Sequence, residues 1–405
     1  MVGALEGIRV IEFASHINGP SAAVTLADYG AEVIKVEDRN RGDGARGFVS
    51  YGGASMNMSG GLNVLFESYN RNKKDITLDL AKEKGRDVMY RLVKKSDVFL
   101  TNYRDSLLAK LGVDYETLRS INPRLIYAVG SGYGSKGPEN ERRTFDWAGQ
   151  ARSGIMSMTG EREGPPGLII GNVVDQIGGQ FLASGILLAL LARERLGVSQ
   201  RVDASMLGGT LLVQLASLAP TLWRGHTPSR HSSQRAKNAF ANYYKCSDGK
   251  WIMLSEPQVQ RFWPQLCKAM GIEELENDPK FKTTKAQRDN CVELIVIIKR
   301  VMATKTCREW ENILGRQVGI SCSPVFSMDE LANDPQVLEN NYIIEFDHPT
   351  LGRVKVPGFP VGLSETPASV RSAPPQFGQN TEEVLLEIGG YNWDEITTLR
   401  EQEVI

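Results

Sequence analysis

One aspartate, Asp175, stands in the stretch GNVVDQIGGQ, which otherwise holds glycines, amides and apolar residues. The apolar run FLASGILLALLA follows it, and this run predicts a buried helix over residues 178–195. A lone carboxylate before such a helix can cap it, pair with a buried cation or act as a reacting group. As a reacting group, a carboxylate can accept the acyl group of a thioester.

Basic residues form three further clusters with possible chemistry, in VEDRNRGDGARG, YNRNKKD and TNYRDSLLAKLG. The clusters contain Arg39, Arg41 and Arg46, then Arg71, Lys73 and Lys74, then Arg104 and Lys110. Arginine offers paired donors and glycine allows close backbone approach, so Arg- and Gly-rich loops suit a phosphate-bearing ligand. Solvated basic faces are the alternative, and the sequence alone leaves both open.

Composition narrows the classes of partner. The net charge is -1, which gives no global attraction to nucleic acid. Four His are scattered and five Cys include no C-x-x-C spacing, so no metal site is expected. The odd number of cysteines is typical of reduced thiols in a cytoplasm. No stretch looks long enough to span a bilayer, and no signal peptide is apparent. We therefore expect a cytoplasmic protein without a membrane partner.

The elements that must position these groups alternate between strand and helix. IRVIEFA, AEVIKVE, DVFLTN and LIYAVGSG are strand-like, and helical segments separate them. This alternation predicts an α/β fold with a Rossmann-like parallel sheet, whose ligands bind at the carboxyl ends of the strands. The first turn, ASHINGPSAA, lacks the G-x-G-x-x-G fingerprint, so a nicotinamide cofactor is not expected.

Changes in pattern along the chain predict four segments. Residues 1–205 form a large Rossmann-like domain, 206–240 a linker, 241–328 a smaller α/β domain, and 329–405 a segment that returns to the large domain.

Nine strings, in order along most of the chain, resemble the class III CoA-transferase family. They are LEGIRVIEFASHINGP, LADYGAEVIKVE, RGDGARG, RNKKDITLDL, DVFLTNYR, LGVDYETLRSINPRLIYAVGSGYGSKGP, SMTGEREGPP, VDQIGG and DASMLGG. The resemblance implies a large and a small domain in two interlocked chains. It also implies an acyl-CoA and a carboxylic acid as substrates, with coenzyme A itself a substrate and no permanently bound cofactor.

The resemblance also assigns roles to residues. Asp175 matches the nucleophile of the family, and Tyr133 is expected near the reacting carbonyl. The residues expected to bind CoA are Ile17, Asn18, Arg39, Leu78, Asn102, Tyr103, Arg104 and Lys110. The reaction would pass through an aspartyl anhydride and an aspartyl-CoA thioester. Gly178 and Gly179 are interpreted as clearance for a bulky ligand next to the backbone.

Three departures limit the resemblance. Ile17 stands where formyl-CoA transferases have a glutamine, and the short RHSSQRAKN replaces their glycine-rich lid loop. Methionines in MNMSGG and GIMSMTG would favour an apolar acyl group if they line the site, although they can equally be ordinary core residues.

Two alternative functions remain open at this stage. One is an α-methylacyl-CoA racemase, although Phe145 stands where the racemase branch carries a histidine base. The other is a non-catalytic CoA-binding subunit that pairs with an active paralogue, so a heteromer is an alternative to a homodimer.

Overall fold

A computed structural model describes residues 2–405 of the chain. These residues divide into two compact units. Unit 1 comprises the chain up to Met156, Leu168–Pro228 and Glu339–Ile405, and unit 2 comprises Ser157–Gly167 and Ser229–Leu338.

The strands and helices alternate through the first half of the chain. The strands are β1 (Arg9–Phe13), β2 (Glu32–Asp38), β3 (Ser50–Tyr51), β4 (Ala54–Ser55), β5 (Lys73–Leu78), β6 (Val98–Thr101), β7 (Ile126–Ser131), β8 (Arg201–Ser205), β9 (Ala241–Lys245), β10 (Trp251–Ser255), β11 (Cys322–Pro324), β12 (Ile343–His348) and β13 (Gly352–Pro357). The α-helices are α1 (Asn18–Asp28), α2 (Val64–Tyr69), α3 (Glu83–Lys94), α4 (Asp105–Lys110), α5 (Tyr115–Ile121), α6 (Asp146–Arg152), α7 (Ile155–Met158), α8 (Val173–Leu196), α9 (Met206–Val213), α10 (Leu215–Arg224), α11 (Val259–Met270), α12 (Thr284–Asp289), α13 (Cys291–Met302), α14 (Cys307–Trp310), α15 (Met328–Leu331), α16 (Pro335–Glu339), α17 (Thr381–Val384) and α18 (Trp393–Glu401). Short 3-10 turns cover Gly44–Gly47, Ser59–Gly61 and Glu273–Leu275, and π-helical turns cover Glu311–Val318 and Leu385–Gly389.

Unit 1 is built on a six-stranded sheet in the order β5-β2-β1-β6-β7-β8. Every pairing in this sheet is parallel. The predicted Rossmann-like α/β class is therefore confirmed. Strand order reverses between β1 and β6, and a ligand crevice forms at the carboxyl ends of the strands at such a reversal.

Neighbouring residues of each strand face opposite sides of this sheet. Val10 and Val33 pack on the face that carries α1 and α8. Ile11 and Ile34 pack on the other face, which α3 and α5 cover. Both faces of the sheet are buried, which explains the nearly continuous apolar sequence of β1 and β2.

Helix α8 differs from its prediction. It runs from Val173 to Leu196, so it begins before Asp175 rather than at residue 178. By length and composition it could cross a membrane, as could α9 and α10 together. The prediction that no stretch is long enough to span a bilayer is therefore corrected, although the core helix of a soluble protein meets the same criteria of length and composition. α9 and α10 also occupy the first half of the predicted linker 206–240.

Unit 2 contains an antiparallel sheet in the order β11-β10-β9. Its hydrophobic core contains Trp263 of α11 and Trp310 of α14, both of which are fully buried. All five cysteines of the chain belong to this unit and carry free thiols.

Candidate active site

The strand-order reversal brings together the loops that follow β1 and β6. Asn102, directly after β6, accepts the Ser15 N–H at 3.0 Å and donates to the Ser15 carbonyl at 2.7 Å. Its amide is thus committed to fixing the loop that leads into α1. Asn102, which is predicted to bind CoA, therefore positions the loop after β1 at the point where the strand order reverses.

Asp43 holds the same loop from the other side. Its Oδ1 accepts hydrogen bonds from the Ser15 hydroxyl and the backbone N–H of His16, both at 2.8 Å. The Nζ of Lys35 lies 2.7 Å from its Oδ2, and both side chains are fully buried. Burial alone would raise the pKa of Asp43, but the Lys35 ammonium and the N–H donors hold it at about 2.

Asp175 lies in the first turn of α8, at the same edge of the sheet. The Asn18 side chain, at the start of α1, donates to the Asp175 carbonyl at 3.2 Å. Asp175 does not cap its helix. The Asp146 carboxylate of α6 does so instead, because its Oδ2 accepts the N–H groups of Val174 at 2.7 Å and Asp175 at 3.1 Å.

The carboxylate of Asp175 accepts no hydrogen bond from residues 2–405. Burial raises its pKa to about 7, and the negative charge of Asp146 adds to this effect. Free N–H groups at the start of a helix would ordinarily stabilise the ionised form of a carboxylate. Asp146 already occupies the N–H groups that would have stabilised the charge. Asp175 is instead a half-buried carboxylate whose ionised form is poorly stabilised.

Two tyrosines lie around this helix start. The Tyr69 hydroxyl accepts a hydrogen bond from the Gln176 side chain at 2.5 Å, and burial followed by nearby carboxylates raises the pKa of Tyr69 to about 12. The Tyr51 oxygen accepts the N–H of Asn172 at 3.1 Å. The Tyr69 phenol is therefore neutral at ordinary pH and supplies a polar contact without charge.

Gly178 and Gly179 serve helix packing rather than ligand clearance. A Cβ on Gly179 would lie 1.9 Å from the Ser21 hydroxyl oxygen, and one on Gly178 would lie 2.4 Å from the Asn18 amide nitrogen. Only glycine lets α8 approach α1 this closely. The interpretation of these glycines as space for a ligand is corrected by these contacts.

Three predicted CoA-binding side chains are buried. Ile17 packs against Ala45 and Phe66, and Leu78 is 1% exposed in the sheet core. Asn18 is 5% exposed between α1 and α8. Burial therefore leaves little of these three side chains accessible to a ligand.

The remaining predicted site residues lie at the surface of this edge. The Arg39 side chain donates to the backbone oxygen of Ile405 at 2.8 Å. Tyr103 is half-buried, with its ring 4.7 Å from that of Phe13. Tyr133 follows β7 in a half-buried loop.

Arg104 and Lys110 bracket α4, and both are exposed. The Arg104 guanidinium donates to the backbone oxygen of Glu141 at 3.2 Å. With Arg39 and Arg41 they are the cations of the predicted clusters that form no ion pair within residues 2–405.

The other basic residues of the three clusters are committed to ion pairs. Arg46 pairs with Glu37 at 2.6 Å, Arg71 with Asp28 at 2.6 Å, Lys73 with Glu12 at 2.7 Å and Lys74 with Glu383 at 2.7 Å. Arg71 and Lys73 also lie at the start of β5, at the opposite end of that strand from Arg39. The middle cluster therefore supports the sheet and does not add to a phosphate site.

Sequence reasoning missed Asp146 and His16. Asp146 is 3% exposed and contacts α8 across 29 positions of chain, so no local pattern reveals its task. His16 has a left-handed backbone with φ of 65°, and its ring lies 5.6 Å from that of Phe145. This unusual backbone, in the loop between β1 and α1, is visible only in the structure.

Known proteins similar to this chain are CoA-transferases and members of one family. The profile of a family described as "CoA-transferase family III" matches residues 5–381. A protein named "Acyl-CoA transferase" from Fusarium pseudograminearum is 34% identical, over 96% of this chain and 85% of its own length. The "Succinyl-CoA--D-citramalate CoA-transferase" of Chloroflexus aurantiacus is 31% identical over 99% of this chain and 98% of its own. The crystal structure of a CAIB/BAIF family protein from Brucella suis matches with a TM-score of 0.83 and 28% identity, covering 96% of this chain and 100% of the other.

Proposed function

This chain belongs to CoA-transferase family III and is a CoA-transferase, and on that premise we propose that it moves CoA between acids through an acyl-enzyme at Asp175. The observation that carries this proposal is the unpartnered, poorly solvated carboxylate at the start of α8, with a pKa of about 7. A structural aspartate at a helix start would accept N–H groups, but Asp146 accepts them here. Asp175 is therefore available to react.

The first half-reaction transfers CoA to the enzyme. An Asp175 oxygen attacks the thioester carbonyl, the carbon–sulfur bond breaks, and CoA leaves as the thiolate. The product is a mixed anhydride of Asp175 and the donor acid. The thiolate then attacks the aspartyl carbonyl, breaks its bond to the bridging oxygen and releases the donor as a carboxylate. Asp175 now carries CoA as a thioester.

The second half-reaction returns CoA to a new acid. The acceptor carboxylate attacks the aspartyl carbonyl, expels the thiolate and forms a second anhydride with Asp175. The thiolate attacks the acceptor's acyl carbonyl, which frees the Asp175 carboxylate and gives the new acyl-CoA. No outside proton or energy source is needed, because each step exchanges one activated acyl group for another.

Aromatic side chains favour an acid with an apolar portion. Phe145 and Trp147 flank the buried Asp146 and are 61% and 48% exposed. Their rings offer a surface on which an aliphatic or aromatic acyl group can pack. We therefore expect larger apolar acids to be turned over faster than formate or oxalate in a series assayed with one donor. The reverse order would defeat this assignment of substrate class.

A second copy of the chain is the proposed partner of the apolar face of α8 to α10. The exposed side chains of this face include Leu188, Leu191, Leu212, Leu215, Leu222 and Trp223. Trp223 is 82% exposed. Many exposed apolar side chains on three successive helices are typical of an interface. A homodimer in light scattering is expected, with Leu188→Glu shifting it towards monomer. A mixed complex with a paralogue would appear instead as inactivity of the purified single chain.

The cytoplasm is the proposed location, since all five thiols are free.

Trapping the covalent intermediate tests the proposed chemistry directly. The protein is incubated with an acyl-CoA and quenched with hydroxylamine, which converts an aspartyl anhydride or thioester into an aspartyl hydroxamate. Mass spectrometry of the peptides should find this change at Asp175 only, and only with acyl-CoA present. The Asp175→Asn variant is the control and should remain unmodified. A modification that maps to another residue would overturn the assignment.

A further inference from the structure

Two thiols and a carboxylate converge in unit 2, remote in sequence from the groups discussed so far. The hairpin turn between β9 and β10 carries Cys246 and Asp248, and α14 begins at Cys307. The two sulfur atoms and a carboxylate oxygen of Asp248 all lie within 4.8 Å of one another. Cys246 and Cys307 are 5% and 1% exposed, whereas Asp248 is exposed at the turn.

Backbone hydrogen bonds hold the three groups in place. The Cys307 N–H donates to the Asp248 carboxylate at 3.2 Å, which ties the turn to the start of α14. The Cys246 N–H donates to the Lys250 oxygen at 2.8 Å, and the Ser247 N–H donates to the Lys305 oxygen at 3.0 Å. The positions of the candidate ligands are therefore set by the hairpin and by the segment before α14, not by flexible side chains alone.

We propose that Cys246, Asp248 and Cys307 form a binding site for a thiophilic divalent cation such as Zn²⁺. Two thiolates and one carboxylate are a donor set that Zn²⁺ accepts, and a water molecule can complete four-fold coordination on the exposed side of Asp248. With Zn–S bonds of about 2.3 Å, ligands of a tetrahedral site lie about 3.8 Å apart. The three atoms are already within roughly an ångström of that spacing.

Two thiols and one carboxylate are the ionisable groups of the cluster. Zn²⁺ binds the thiolate form of cysteine, so binding here would release the protons of both thiols. The nearby ammonium of Lys250 is already paired with Glu330.

This site revises the expectation that the chain binds no metal. That expectation relied on the absence of closely spaced cysteine pairs. The second thiol of this cluster comes from Cys307, 61 positions after Cys246, and only the tertiary fold brings it to the turn.

Metal titration of the reduced, chelator-treated full chain tests the site. Co²⁺ should bind with a stoichiometry of one and produce thiolate-to-cobalt absorption in the near ultraviolet, and Zn²⁺ should displace it. Cys246→Ser and Cys307→Ser should each lower the Zn²⁺ affinity at least tenfold. Asp248→Asn, which keeps an oxygen for the Cys307 N–H, should lower it less.

Cys267→Ser is the matched control, because Cys267 is equally buried but lies outside the cluster. It should keep the wild-type affinity and absorption, with folding checked for all variants by circular dichroism. The proposal is overturned if reduced wild-type protein shows no thiolate-to-cobalt band. It also fails if the two cluster variants bind as tightly as the wild type, or if Cys246 and Cys307 form a disulfide with no metal in protein purified under reducing conditions.

Discussion

Asp43 and Asp175 lie at the same edge of the sheet in unit 1, yet their surroundings are opposite. Asp43 contacts the Lys35 ammonium at 2.7 Å and accepts three backbone or hydroxyl donors, so its pKa falls to about 2. Asp175 has no such donor among the described residues and lies near the carboxylate of Asp146, so its pKa rises to about 7. The same type of side chain is a fixed anion in one place and a readily protonated carboxylate in the other.

The difference shows that burial alone does not decide what a carboxylate does. Burial raises the pKa of both groups, and the neighbouring charges and donors then determine the outcome. Asp43 stabilises the loop that carries Ser15 and His16. Asp175 is held in position through its backbone by Asn18 and Asp146, which leaves its side chain free for chemistry. A candidate reacting group can thus be recognised by the hydrogen bonds and counter-ions that its side chain lacks.

Removing the carboxylate of Asp175 gives the largest expected effect. Asp175→Ala should lower the rate of CoA exchange between acyl-CoA and free acid by at least about a thousandfold, because no other group takes the acyl chain. Exchange is measured with labelled acid, and circular dichroism checks the fold. A folded variant with a normal rate would remove Asp175 from the mechanism.

Removing the carboxylate of Asp43 should act on stability instead. Asp43→Asn leaves the buried Lys35 without its nearer partner, which should lower the free energy of unfolding by about 3 kcal/mol. Urea unfolding measures the change. Asp38→Asn is the control, because Asp38 accepts the N–H groups of Asn40 and Arg41 but pairs with no buried cation. Equal losses in both variants would contradict the role given to Lys35.

Neutralising Asp175 without changing its size should stabilise the protein at high pH. The pKa of Asp175 is higher in the folded chain than its ordinary value of 3.8, so the folded state binds the proton more tightly. The stability from this group is complete below about pH 4 and is lost as pH rises through about 7. Asp175→Asn should therefore be more stable than the wild type by about 1–3 kcal/mol at pH 8, with little difference at pH 4. A gain of the same size at both pH values would argue against the raised pKa.

The smallest expected effect concerns the charge of Asp146. Asp146→Asn keeps an oxygen for the N–H groups of α8 but removes the negative charge beside Asp175. The pKa of Asp175 should fall, although burial keeps it raised. In the proposed mechanism only the ionised form of Asp175 attacks the thioester, so kcat/KM of the wild type should rise with pH through about 7. This rise should move down by roughly one pH unit in the variant. A rise that stays in place would show that burial alone sets the pKa.

The strand and helix pattern of unit 1 could be predicted because its information is local. The apolar runs of β1, β2 and β6 and the segments between them indicate a parallel sheet, and the structure has that sheet. The sequence also showed that Asp175 is an isolated acid beside a buried helix. Its helix start was not, since α8 begins at Val173 through contacts with Asp146 that lie outside the local sequence.

Basic residues show where sequence reasoning fails. Arg39, Arg46 and Arg71 look alike as members of glycine- or lysine-rich loops. In the fold, Arg46 and Arg71 meet buried carboxylates, while Arg39 remains at the sheet edge. The partners of a long cationic side chain are chosen by strands that are far apart in the chain, so composition cannot tell a ligand contact from an internal ion pair.

The sequence by itself determined the α/β class, the family resemblance and the candidate nucleophile, because periodicity and motif order are carried by neighbouring residues. Only the tertiary structure decided that Asp146 caps α8, that Gly178 and Gly179 serve packing against α1, and that Cys246 meets Cys307. The physical reason is that pKa values, close contacts and ligand geometry depend on distances between atoms, and the fold sets these distances independently of separation along the chain.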